Sequence, residues 1–148
     1  FGLIEPKRRT LPNYERKLGN KSTTQGLAFT IERAEGKSVQ GICHNVPVSG
    51  LEAFLRKEGV ISDKKNPNYR LTIVSIEGES QSVLTLEGLK PSSLNELKNE
   101  KNAKEKMLKA LCYICKSIEG AERFGVDYTD MLKAKKELEK AISNSEAT

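Results

Sequence analysis

The sequence predicts an α+β fold: a small antiparallel sheet of two β-hairpins with an inserted short helix, plus a C-terminal helical hairpin. Three observations predict it. Residues 26–33 and 69–76 alternate in the period of two that half-buried strands require. Ser-x-x-Glu patterns, the signature of a capped helix start, stand at Ser49–Glu52 and Ser93–Glu96. From Met107 onward, apolar residues recur at spacings of three and four, the repeat of a helix with one buried face.

Taken in order, residues 1–25 read as an extended segment, because Pro6 and Pro12 interrupt any helix and Asn, Gly, Ser and Thr crowd its end. In Gly26–Arg33, Leu27, Phe29 and Ile31 share one face. Ala34-Glu35-Gly36-Lys37 reads as a turn and Ser38–His44 as the returning strand, with Gly41 marking a bulge or a close approach. Leu51, Phe54 and Leu55 form the apolar side of a helix over 51–58, capped by Ser49, stopped by Gly59 and packed on the sheet. Asp63–Asn68 is a loop, and Tyr69–Ile76 with Gln81–Leu86 form the second hairpin around Glu77-Gly78-Glu79-Ser80. Leu94 and Leu97 begin a helical stretch that either continues through the polar residues 98–106 or breaks near Asn99–Asn102. Met107, Leu111, Ile114 and Ile118, widened by Leu108, Cys112 and Cys115, give a broad buried face ended by Gly120. Asp127 or Thr129 caps the last helix, which buries Tyr128, Met131, Leu132, Leu138 and Ile142.

A chain of 148 residues suits one domain or one domain with an arm. We divide it into a basic extended arm (1–25), a β-rich core with one helix (26–92) and a helical part (93–148) that packs on the core or forms an oligomer interface. The chain has no tryptophan, four Phe and four Tyr, so an aliphatic core is expected. No apolar run approaches the roughly 20 residues of a membrane helix, which argues against a membrane partner. The first residues lack the sustained apolar stretch of a secretory signal. Three cysteines cannot all pair within one molecule, so a reducing compartment, cytoplasm or nucleus, is expected.

Charge localises the expected interaction surface. Of the net +5, a surplus of +4 lies in residues 1–25, while residues 26–92 hold eight charges of each sign. Lys7-Arg8-Arg9 and Arg16-Lys17, with Lys21, are the cations expected to grip phosphate, and Tyr14 between the clusters is placed to stack on a base. Lys64, Lys65 and Arg70 form a second cluster around one loop. The reading is a non-enzymatic nucleic-acid-binding protein, for RNA or DNA, with little sequence specificity; an acidic protein surface is the other partner such an arm fits. The strands carry only Phe29 and Tyr69 as aromatics, so the paired aromatics of a base-stacking RNA-recognition sheet are not evident.

Two alternatives stand beside it. The first is a structural protein (capsid, nucleoprotein or scaffold-like) that forms a homo-oligomer through the C-terminal helices. The second is a small hydrolase or nuclease centred on His44, the only histidine, with Cys43 or Ser49 as a nucleophile. Cys112-Tyr113-Ile114-Cys115 is formally a CxxC, but its place within an apolar helical face reads as core packing rather than redox chemistry. Adding Cys43 and His44 as zinc ligands is awkward, since adjacent strand residues point to opposite faces. Glu77, Glu79 and Glu87 cluster near turns in the manner of solvated carboxylates. No catalytic residue, metal ligand or cofactor site is assigned from the sequence.

Overall fold

In a computed structural model, described over residues 4–22, 24–61, 66–80 and 82–146, the chain forms two antiparallel β-hairpins with a short helix between them and a C-terminal helical pair. This is the predicted fold class, but the first hairpin is drawn differently. Strand β1 (Ile4–Ser22) pairs along its length with β2 (Gly26–Asn45), from Ser22↔Gly26 out to Ile4↔Asn45. The segment read as an arm is extended, and it is one strand of the sheet. The chain reverses at Gly26, whose φ of 74° suits a residue without a Cβ. A Cβ there would also collide with the backbone carbonyl of Lys106.

The turn expected at 34–37 is a bulge within β2. The register slips between Pro12↔Ser38 and Tyr14↔Arg33, so the extra residues lie on β2. Asn13 and Gly36 both take positive φ, 63° and 81°, and the Gly36 N–H donates to Asn13 Oδ1 at 3.2 Å. The turn-forming residues are therefore used, but their backbone twist kinks a continuing strand instead of reversing it. Pro12, which has no N–H to offer a ladder, sits next to this irregularity.

The second hairpin, β3 (Tyr69–Val74) and β4 (Val83–Gly88), has the expected strands in unbroken register from Tyr69↔Gly88 to Val74↔Val83. Its faces are mixed, with Val74 buried on the side of Arg70 and Thr72 and apolar residues exposed on the other. Ile73 is 71% exposed and Leu84 56%, and they stand opposite one another on the outer face. The other face carries Arg70, Thr72 and Glu87, joined by Arg70–Glu87 at 2.9 Å and Thr72 Oγ1 donating to Glu87 at 3.1 Å.

Helix α1 (Leu51–Lys57) follows a 3₁₀ turn at Val48–Gly50. Gly50, not Ser49, occupies its N-cap, with no side-chain hydrogen bond, and α1 buries no residue. The second capping pattern does hold: Ser93 accepts from the Glu96 N–H at 3.2 Å and starts α2 (Leu94–Leu97). The chain then breaks, and α3 (Ala103–Phe124) begins after Asn102 in the left-handed region. Helix α3 passes through Gly120 and stops at Gly125, φ 68°. Helix α4 (Thr129–Glu146) starts where Asp127 Oδ1 accepts from the Thr129 N–H at 3.0 Å.

The core lies between α3, α4, α2 and β2. Met107, Ala110, Ile114 and Ile118 of α3 meet Met131, Leu138 and Ile142 of α4, closed by Leu27 and Leu97. Burying one such aliphatic side chain contributes roughly 1.5–3 kcal/mol. Cys112 is exposed and Cys115 only half-buried, because the buried stripe runs through Ala110 and Ile114 instead. Leu108 and Leu132 also face outward. The main apolar stripes of the two helices, offered as an assembly surface, are thus packed against each other inside one chain.

Candidate active site

The two hairpins meet at a seam built of polar side chains. Asn20, at the end of β1, is only 1% exposed. Its Nδ2 donates to the Asn68 carbonyl at 3.2 Å, and its Oδ1 accepts from the Lys90 N–H at 2.9 Å. The Lys90 ammonium donates to Asn68 Oδ1 at 2.7 Å. Backbone bonds Lys21 N to Lys90 O (2.7 Å) and Ser92 N to Gly19 O (2.9 Å) continue the join. On β2, Thr30 Oγ1 accepts from the Gly88 N–H at 2.8 Å.

Phe29 sits at the centre of this arrangement. Its carbonyl accepts from the Tyr69 hydroxyl at 3.1 Å, and its N–H donates to the Tyr113 hydroxyl at 3.0 Å. The Phe29 and Tyr113 rings pack with centroids 5.6 Å apart. Two tyrosine hydroxyls therefore take the place that a neighbouring strand would occupy along this edge of β2. Burial raises the pKa of both hydroxyls. At Tyr69 the negative charge of Glu58 pushes the same way, while the Asn20 amide opposes it.

That influence brings Glu58 into the site. Glu58 follows α1 directly and is half-buried. Gly59, φ 79°, ends the helix, and its carbonyl accepts from the N–H groups of Asn68 (2.8 Å) and Tyr69 (3.3 Å). A Cβ on Gly59 would lie 2.8 Å from Asn68 Nδ2. This close approach holds the end of α1, and Glu58 with it, against the start of β3. Several other carboxylates pair with cations, Glu52 of α1 with Arg56, Glu79 with Arg9 and Glu87 with Arg70, whereas Glu35 and Glu77, like Glu58, have no ion pair among the described residues. Glu58 is thus a carboxylate whose charge is felt at Tyr69 and which has no ion pair among the described residues. The sequence offered little signal for it beyond a glycine after a helix, and Asn20 and Asn68 had none.

A cleft of ≈ 1270 Å³ lies between the β1–β2 hairpin and α4. Leu18, Phe29 and Leu94 supply apolar lining and Arg16 lies within it. Phe29 thus has the cleft on one side and the tyrosine hydroxyls on its backbone.

The cations expected to bind phosphate are dispersed and mostly engaged with the protein itself. Arg8 Nη1 donates to the Gly125 carbonyl at 2.8 Å, and Arg9 pairs with Glu79 at 3.0 Å. Arg16, its side chain 11% exposed, pairs with Asp130 at 3.2 Å and donates to the Gln40 carbonyl. Lys17 pairs with Glu15 and Glu32, Lys21 with Glu100, and Arg70 with Glu87. Lys7 is exposed. Lys64 and Lys65 lie outside the described residues. Tyr14 lies near the Arg33 guanidinium, 5.8 Å from its ring centroid. His44 packs edge-on against Phe54, centroids 6.5 Å apart, and its Nδ1 is buried with no hydrogen-bond partner among the described residues. No group of three or more His, Cys, Asp or Glu able to hold a metal occurs among the described residues. Likewise, no described helix is long and apolar enough to cross a membrane.

No family model and no curated protein matches the chain. Solved structures do. One titled γ-glutamyl cyclotransferase superposes with a TM-score of 0.54 at 18% identity, covering 91% of this chain and 74% of its own. YkqA from Bacillus subtilis superposes at 0.53 with 17% identity, covering 93% of this chain and 44% of its own. The likeness is one of fold. It overturns the reading of the chain as a non-enzymatic RNA- or DNA-binding protein, and with it the acidic-protein partner and the homo-oligomeric structural alternative. The internal ion pairs give a physical reason for the first: Arg8, Arg9 and Arg16 are held by carbonyls and carboxylates of the chain itself, and part of the basic surplus of residues 1–25 is neutralised within the fold. The helix faces give the reason for the second, being buried against each other. What the chain resembles is the fold of the protein titled γ-glutamyl cyclotransferase.

Proposed function

We propose that the chain catalyses an intramolecular cyclisation of a γ-glutamyl amide. The observation that carries this is the likeness to the γ-glutamyl cyclotransferase structure across 91% of the chain. In such a reaction the α-amino nitrogen attacks the γ-carbonyl carbon, a five-membered lactam closes, and the amine on the γ-carbonyl leaves. One proton must travel from the attacking nitrogen to the departing one, and no external reactant is consumed. Glu58 is the residue placed to carry it, because its carboxylate lies at the seam without a cationic clamp among the described residues. Tyr69, held neutral by burial and by its bond to Phe29, is a positioning residue that fixes the local polarity beside Glu58.

The test is release of 5-oxoproline from a panel of γ-glutamyl amino acids and γ-glutamyl peptides. The full chain is expected to turn over at least one of them. Glu58→Gln, which keeps size and loses the base, is expected to lower kcat by about 10²-fold or more. Absence of turnover across the panel, or full activity in Glu58→Gln, would overturn the proposal.

A further inference from the structure

The cleft beside α4 is not used by this mechanism, and its charges do not balance. On the hairpin wall the cations are compensated: Lys17 and Lys37 both bond to Glu15, at 3.1 and 2.8 Å. Arg16 is held by Asp130 and by the Gln40 carbonyl. The helical wall differs. Lys133 and Lys140 stand two turns apart on α4, and Lys98 follows α2; all three are exposed and line the same cleft. None of the three has an ion pair among the described residues. Asp127, which lines the cleft as well, is committed to capping Thr129, and its pKa is lowered mainly by the Thr129 N–H and hydroxyl. Glu137 is left as the carboxylate between the two α4 lysines.

Between these walls Leu18, Phe29, Leu94, Ala134 and Ala141 give an apolar strip, edged by Ser38, Ser93 and Asn95. The cleft lining carries more cations than carboxylates, with Lys98, Lys133 and Lys140 facing only Glu137 and Asp127 on their side, and an anion relieves that excess. The apolar strip adds a second requirement, since a bare inorganic anion leaves it wet. The volume, ≈ 1270 Å³, exceeds that of most drug-sized sites and suits a ligand of short-peptide size. We propose that this cleft is a second binding site, sharing only Phe29 with the seam, for a small organic polycarboxylate with an apolar body. Its carboxylates would meet Lys98, Lys133 and Lys140, and its body would lie on Phe29 and Leu94.

The probe is benzene-1,3,5-tricarboxylate, titrated into the full-length chain by calorimetry and by amide chemical shifts. Citrate and inorganic phosphate serve as comparators. Saturable binding is expected for the tricarboxylate, with shifts concentrated at Phe29, Lys98, Lys133 and Lys140. Citrate, lacking the ring, is expected to bind more weakly, and phosphate more weakly still. Lys133→Gln with Lys140→Gln is expected to weaken the tricarboxylate about tenfold or more, while Lys116→Gln on α3 changes nothing. All these positions are exposed, and an unaltered thermal melt verifies folding. Lys98→Gln tests the same cleft from another element and should weaken binding severalfold. Glu58→Gln should bind the tricarboxylate as the parent does, so this site stands or falls apart from the cyclisation chemistry. Absence of saturation, equal affinity in the double lysine variant, or phosphate binding as tightly as the tricarboxylate would overturn the proposal.

Discussion

Asn20 shows how much of this site rests on single residues. It satisfies a carbonyl on one segment and an N–H on another while almost wholly buried. Asn20→Ala leaves the Lys90 N–H and the Asn68 carbonyl without those partners, and is expected to cost about 1–3 kcal/mol in a urea unfolding experiment. Gly59 acts through its backbone. A side chain there is strained at φ 79° and collides with Asn68. Gly59→Ala is expected to destabilise by about 1 kcal/mol or more in the same experiment. It should also lower turnover further than the loss of folded protein explains, because it displaces Glu58 from Tyr69. At this scale little was legible in the sequence. Arg16 was visible as a cation, but its partner Asp130 lies on the last helix, and no local pattern joins the two. Glu58 was visible only as a polar residue near a helix end.

Elements were read more successfully, for a physical reason. Periodicity reports which face of a strand or helix is apolar, and β3, β4, α3 and α4 all carry it strongly. It does not report whether a cluster of turn residues reverses the chain or kinks it. Ala34–Lys37 met the description of a turn, and only pairing with Asn13 on the opposite strand makes it a bulge. Nor does periodicity show that β2 is edged by side chains. Tyr69 and Tyr113 fasten β3 and α3 to one residue of β2, and both hydroxyls are favoured in the neutral form by burial. Because their folded pKa values are raised, their contribution is fully present below the unfolded tyrosine value of about 10. It is lost as pH climbs through the folded values, where both states ionise. Thermal melts from about pH 8 to about pH 11 are therefore expected to show stability falling at the alkaline end. The fall should be shallower in Tyr69→Phe and Tyr113→Phe variants, which have no hydroxyl to ionise.

Over the whole molecule, net charge proved a poor guide to partners. A surplus counted along the sequence ignores which carboxylates the fold brings alongside, and β1 lies among Glu15, Glu79, Glu100 and Asp130. Stability is also unevenly distributed. Leu138 and Ile114 are completely buried between the long helices, and Leu138→Ala or Ile114→Ala should cost about 2–5 kcal/mol by chemical denaturation. Ile73→Thr, on the outer face of β3, should change it by less than about 0.5 kcal/mol.

The second hairpin adds no side chain to the central apolar cluster, which draws on the first hairpin and helices α2, α3 and α4. Its join to the rest is a set of directional hydrogen bonds. Parting that join wets few hydrocarbon groups, so it requires much less than global unfolding. In native-state hydrogen exchange, the amides of Lys21, Gly88, Lys90 and Ser92 should therefore exchange together, by an opening of low denaturant sensitivity. The amides of Ile114 and Ile118 should wait for the whole chain to unfold. Under the proposed cyclisation, substrate would enter and leave the seam through that same small opening.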